Sequence, residues 1–526
     1  MGKAAGLQMA LACLLAGLWV GVEGELVLLV TLTRHGSRAP NTIIDELCPT
    51  DEENRAKYNV PPGQLTENGM KQSLKLGTFI RETYVESMDF LPPTLGSGSM
   101  ARFSSMVMSD SAERCLQTAQ AMAMGLFPNG TGPPGFPNQP MPVQTEQKQY
   151  ANLLSAAHGA CLQQQKADNA AYDATRGKEL IEQSRSITDV IAQACGVPTE
   201  DYEKAKNGRE GLVLGVKDVA DMLDFDEQQG LPRLANVSKQ AHEDMTQLAF
   251  TLLQERYYSN RRQVTYWAGD FPLTLLDDFR SASKKHRKGL KPRRLYLGYH
   301  GHRELLYGVA HFLGWTFDVE GAPTALGTSS IPPGTTMFFE LHYHAEEVSG
   351  NIGNNTESPD QQTGGSNATG IEGIDQGQYQ VYAEDGLVGD EDKPAEETGF
   401  YYVRTYTWTP DFGQQEVVLD ACSDAEAGKG CPLSTVEAIV DHSTEETGSW
   451  EDICNHVPFD EAEKMAQKLV FDSAHDGNQF TNLLIHILWL VAIVIVGVGA
   501  FYGAVALKAK WQRAGGRGSA SYETVH

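Results

Sequence analysis

A chain of 526 residues, 41% hydrophobic and 21% charged, is long enough to bury a sizeable core as one α/β domain with an insertion or as two domains. Its 68 Asp and Glu against 42 Lys and Arg leave a formal charge of -26, which argues against a nucleic-acid partner and suits an acidic lumen where part of that charge is titrated.

Lys3, the apolar stretch from Leu7 to Val20 and the small residues Val22 and Gly24 describe a secretory signal over residues 1–24, because the apolar run is too short to span a bilayer. A strand is expected over Leu26 to Leu32, opening into L-T-R-H-G-S-R-A-P at Leu32 to Pro40. An imidazole (His35) between two guanidiniums (Arg34, Arg38), beside a glycine (Gly36) that permits close backbone approach, can attack a phosphoryl group whose oxygens the arginines hold. A basic turn after a strand is the bland alternative, and it does not account for the fixed string R-H-G-x-R-x-P.

Gln64 to Gly77, Q-L-T-E-N-G-M-K-Q-S-L-K-L-G, predicts a helix that starts at Thr66 and continues through Phe79 and Ile80 with a period near 3.6. Met106 to Met108 is a short strand, and Ser109-Asp110-Ser111-Ala112-Glu113-Arg114 opens a helix running to about Phe127. Residues 145–265, rich in Ala, Gln and charge, form a helical insertion. Arg294 to Tyr299 is the next strand, ending in His300-Gly301-His302-Arg303-Glu304 and followed by a helix to Gly314. Met337 to His344 and Phe400 to Thr407 alternate as two arms of a hairpin. Between them, residues 345–398 hold 13 Asp or Glu against Lys393, a composition expected to form a disordered, glycosylated loop.

The string at Arg34, the block at Leu65, the stretch from Ser109 to Pro128 and the segment around Cys431-Pro432-Leu433 resemble the histidine acid phosphatases, the branch of the histidine phosphatase superfamily with a second arginine and a proline. The resemblance spans roughly residues 25–455, with the acidic loop as an insertion. It implies a central mixed β-sheet flanked by helices, an α-helical cap subdomain, and phosphomonoester hydrolysis through a phosphohistidine. That chemistry needs a nucleophile, a cationic cage and an acid for the leaving alcohol. His35 is the nucleophile candidate, with Arg34, Arg38 and Arg114 as phosphate-binding cage.

The family's second histidine has two candidates. Ser473-Ala474-His475-Asp476 spells its S-A-H-D motif, but lies after the family's closing segment. His302 has the required strand before it and helix after it, and is preferred. Arg303 stands where the family has an aspartate, so the proton donor passes to Glu304, as in a phytase-like variant of the motif. His35 must attack as neutral imidazole, and Glu304 must be protonated, through a raised pKa or an acid medium. The arginines supply the charge that a metal supplies elsewhere, so neither metal nor cofactor is expected.

Of eight cysteines Cys13 leaves with the signal, and seven remain in an oxidising compartment. The resemblance pairs Cys161 with Cys454 and Cys422 with Cys431. Its third bridge lacks a partner near Gly334 to Thr336, leaving Cys195 to pair with Cys48 or stay free. Cys115 reads as a buried free thiol. The sequons at Asn129, Asn236, Asn354 and Asn367 fit a glycosylated ectodomain.

Ile487 to Leu507 is a charge-free run long enough for a transmembrane helix, and Lys508, Lys510, Arg513 and Arg517 place its far flank in the cytosol. Tyr522 with Val525 resembles a sorting signal for an adaptor. The expected order is signal 1–24, core 25–144, cap 145–265, core 266–455, stalk 456–486, span 487–507 and cytosolic tail 508–526. The whole is a type I protein of the endosomal or lysosomal membrane or the cell surface, acting on phosphomonoesters, and able to dimerise as the family does. A catalytically impaired glycoprotein that keeps the fold to bind phosphorylated ligands is the rival reading, favoured by Arg303 and the acidic loop.

Overall fold

The computed structural model describes residues 24–95, 104–146, 152–154, 159, 161–199, 212–315, 330–345, 399–424 and 430–454. The signal segment, nearly all of the acidic loop with Asn354 and Asn367, the S-A-H-D tetrapeptide, the stalk, the apolar span and the tail lie outside these residues. Among the described residues, no helix is long and apolar enough to cross a membrane.

An eight-stranded mixed sheet organises the chain. It contains β1 (Glu25–Arg34), β2 (Ser105–Ser109), β3 (Val143–Thr145), β4 (Tyr296–Gly301), β5 (Thr336–Ala345), β6 (Gly399–Thr409), β7 (Gly413–Val417) and the two-residue β8 (Cys431–Pro432). The path runs β3-β2-β4-β1-β5-β6-β7, with β8 on β6. The β3, β2, β4 and β1 neighbours are parallel, and β5 returns antiparallel on β1. The expected hairpin arms are β5 and β6, in register from Thr336 opposite Trp408 to Ala345 opposite Gly399.

Strand β1 is apolar along most of its length because helices cover both faces of the sheet. Leu28, Val30 and Leu32 pack on one side with Phe339 and Leu341, against α8 (Phe271–His286), α9 (Arg303–Leu313) and α10 (Leu433–Thr447). Leu29 points the other way and joins Phe338 and Trp408 against α1 (Glu67–Ile80) and α2 (Glu113–Leu126). Helix α1 begins where the polar signal predicted, with the Thr66 hydroxyl accepting from the Gly69 N–H.

Between β3 and β4 the described residues form mostly helices, among them α3 (Leu162–Tyr172), α4 (Arg185–Cys195), α5 (Leu212–Gln228), α6 (Lys239–Tyr258), α7 (Arg261–Ala268) and then α8. Parts of α4, α5 and α6 share a separate apolar core with Ile43, Ile44 and Leu47, from the segment just after the R-H-G string. Helix α8 instead packs in the core of the sheet. The disulfides are Cys161–Cys454, Cys422–Cys431 and Cys48–Cys195, the last resolving the partner left open by the sequence. Cys115 is free and buried.

Candidate active site

The carboxyl ends of three parallel neighbours meet in the middle of the sheet, the usual place for a ligand in an open α/β sheet. Arg34 ends β1 opposite Gly301 of β4, and Ser109 ends β2 opposite His300. The sequence thus brings together His35 after β1, Asp110 and Arg114 after β2, and His302 after β4.

The loop after β1 is fixed from both sides. The His35 N–H donates to the Gly301 carbonyl at 3.0 Å, and the Gly334 N–H donates to the His35 carbonyl at 3.1 Å. Arg38 bridges to Leu65, while the Ala39 N–H bonds the Gln64 carbonyl and the Thr66 N–H and hydroxyl both bond the Ser37 carbonyl. This pairing explains why the Q-L-T-E-N-G block accompanies the R-H-G string. A side-chain carbon at Gly36 would lie 2.5 Å from the Gly69 carbonyl oxygen, and the Gly36 N–H bonds Thr118 Oγ1 at 3.1 Å. The missing side chain at Gly36 makes room for the start of α1.

His35 is 5% exposed. Its Nδ1 lies 2.8 Å from the Gly36 carbonyl, an oxygen that can only accept, so Nδ1 carries the proton and the Nε2 lone pair is left for chemistry. Burial, then Arg114, His302, Arg34 and Arg38, push its pKa well below the usual value, so the ring stays neutral in acid.

His302 meets His35 edge-on, with ring centroids 5.4 Å apart. Its Nδ1 is 3.4 Å from Arg114 Nη2, and its Nε2 is 3.4 Å from Asp110 Oδ1 and 3.7 Å from Cys115 Sγ. Burial works against a charge here, but the Cys115 sulfur and Asp110 outweigh it and hold the pKa up at about 9. With His302 protonated, it and Arg114 together present positive charge that an anion would relieve.

The arginines differ in their freedom. Arg34 is buried, bonds the Ile331 carbonyl through Nη1, and has an Nε without a partner among the described residues. The Nε of Arg114 is likewise buried and unpartnered. Arg38 is more occupied: Nη1 donates to Ala39 and Asn41, Nη2 lies 3.3 Å from Asp221 Oδ2, and the guanidinium covers the Phe225 ring at 4.6 Å. Burial brings Arg34 and Arg38 down to about 10, so both remain charged at any physiological pH.

Arg303 is committed to a carboxylate of α5. Its Nη1 and Nη2 grip the two oxygens of Asp221 at 2.8 and 3.1 Å, a bidentate pair. Asp221 also receives Lys217 at 3.1 Å, and both sit on α5. Glu304 follows on the first turn of α9, with Oε1 3.4 Å from Arg303 Nε and its carbonyl bonded by the Tyr258 hydroxyl at 2.6 Å. Burial would raise the Glu304 pKa, but Arg303, Lys217 and His302 overcome it and hold it down at about 2. Of the two routes to a protonated Glu304, the free site does not offer the raised pKa.

Sequence reasoning missed Asp221 and Lys217. Their signal was a Lys–Asp pair four residues apart in the stretch Val216 to Phe225, which alternates charged with apolar residues, so that a charge turned inward needs a buried partner. Of the sequons, Asn129 and Asn236 are exposed.

Residues 25–352 match the Histidine phosphatase superfamily (branch 2), and the chain belongs to that family. It is 34% identical over 145 residues to the testicular acid phosphatase of Mus musculus, covering 26% of this chain and 31% of that one. It is 30% identical over 169 residues to the lysosomal acid phosphatase of Rattus norvegicus, covering 32% and 37%. The matches thus span about a third of the length of these curated relatives. In fold the chain resembles the Hafnia alvei phytase solved with myo-inositol hexakis sulphate, with a TM-score of 0.53, 18% identity, and 82% of this chain and all of that one covered.

Proposed function

We propose that the chain is an acid phosphatase that hydrolyses phosphomonoesters through a phosphohistidine at His35 Nε2. The observation that carries this reading is the bond from His35 Nδ1 to Gly36, which leaves Nε2 unprotonated amid Arg34, Arg114 and His302. Arg34 and Arg114 would hold the phosphoryl oxygens. His35 Nε2 forms the N–P bond as the P–O bond to the leaving group breaks, and the leaving oxygen takes its electron pair and a proton from Glu304. Water then attacks phosphorus and gives its proton to Glu304, while the N–P electrons return to Nε2 and phosphate leaves. The dianionic substrate raises the proton affinity of Glu304, and an acid medium completes its protonation.

Membrane anchorage by residues 487–507, with the catalytic part lumenal or extracellular, is supported by the apolar run and its basic flank. A lysosomal or secretory placement is supported by the kinship with lysosomal acid phosphatases. The engagement of both Nη atoms of Arg303 by Asp221 argues against the rival binding-protein reading, since the residue that replaced the family's acid is already held in a buried ion pair.

The test is rapid-quench labelling of the detergent-solubilised full chain with a radiolabelled aryl phosphate at pH 5. An acid-labile, base-stable phosphoenzyme that disappears in His35→Ala supports the reading. Ligand binding without a phosphoenzyme or turnover would give the binding protein the lead.

A further inference from the structure

Arg303 carries a positive charge next to Glu304, the carboxyl read above as the proton donor, and its Nε already reaches to 3.4 Å from it. A guanidinium that closed on Glu304 with both of its donor edges would fix the carboxylate in its ionised form and take the oxygens that must face the leaving group. Asp221 prevents this geometrically. It occupies Nη1 and Nη2, so only the Nε edge is left for Glu304, at the limit of hydrogen-bond distance. Arg38 and Lys217 fix the same carboxylate from two other directions, at 3.3 and 3.1 Å, and its side chain is 8% exposed.

We propose that Asp221, delivered by α5 from the helical insertion, is a positioning residue that holds Arg303 off Glu304 and so keeps the carboxyl available to protonate the leaving oxygen. This rests on the phosphatase reading above. The proton goes from the Glu304 carboxyl to the leaving alkoxide as the P–O bond breaks, and water restores it in the second step. Asp221 itself gains and loses nothing. Without Asp221, Arg303 becomes a buried cation whose nearest carboxylate is Glu304.

Acid assistance matters for a poor leaving group and little for a good one, which separates this role from a structural one. The experiment compares glycerol 2-phosphate with 4-nitrophenyl phosphate for the full chain, Asp221→Ala, Arg303→Ala and the double variant. The expected result is a loss of kcat on the alkyl ester at least about tenfold greater than on the aryl ester in Asp221→Ala. The double variant should regain the alkyl activity of Arg303→Ala. An equal loss on both esters without recovery in the double variant would overturn the proposal, because Asp221 would then act through Arg38 or through folding. Should Asp221→Ala fail to fold by circular dichroism, Asp221→Asn keeps the volume and is read by the same ratio. A wild-type chain that forms no phosphoenzyme sinks the phosphatase reading and this proposal with it, whereas a phosphoenzyme with an unchanged ester ratio sinks this proposal alone.

Discussion

The His302 ring stands edge-on to the His35 ring with 5.4 Å between centroids, and Arg114 touches the outer nitrogen of His302. His302 thereby does two things: it adds positive charge beside Arg114, and it makes protonation of His35 more costly.

Replacing His302 with Ala should lower kcat by roughly 10²- to 10³-fold, the scale of losing one preorganised charge-stabilising donor. It should also move the acid limb of the pH–rate profile upward. The sign follows from His35, whose pKa is pushed down in part by His302; removing that cation raises it, and the neutral imidazole is then lost at a higher pH. A pH series of kcat/KM checks both, and an unshifted acid limb would show that the two rings are not coupled.

Arg303→Ala should shift the alkaline limb of the same profile upward. Arg303 is the foremost of the charges that depress Glu304, so its loss lets the carboxyl stay protonated to higher pH. A limb that moves down instead would assign the acid to another group.

His300, at the end of β4, is fully buried with neither ring nitrogen bonded among the described residues. Burial drives its pKa down to about 3. As pH falls below 6.5 the unfolded chain binds a proton there that the folded chain refuses, so stability is lost progressively down to about pH 3. At pH 5 the loss is about 2 kcal/mol. His300→Leu should therefore raise the melting temperature relative to wild type more at pH 5 than at pH 7.5. Equal differences at the two pH values would mean that His300 does not titrate between them.

Much of this site was legible in the chain. The apolar run before Arg34, the polar start at Thr66 and the strand before His302 are local patterns, and each appears as the expected element. Cys161 with Cys454, and Cys422 with Cys431, also pair as the family resemblance implied. What stayed hidden is long-range electrostatics. Nothing near Arg303 in sequence says that its charge is met by Asp221, 82 residues earlier on another helix. Nor does the string around Gly36 say that its empty face belongs to Gly69. The Glu304 carboxyl was expected to be protonated, and its low proton affinity follows from Arg303, Lys217 and His302, a set that only the fold assembles.

The bridge from Cys161 to Cys454 spans 293 residues, so it cannot close until the chain has been synthesised through Cys454. At roughly 5–20 residues per second, Cys161 waits on the order of 15–60 s for its partner while Cys48, Cys115 and Cys195 are already exposed to oxidant. A chain entering an oxidising lumen vectorially therefore has an interval in which the wrong bridge is within reach. Oxidation strictly in order of appearance would pair Cys48 with Cys115 or Cys161, not with Cys195 as in the folded structure.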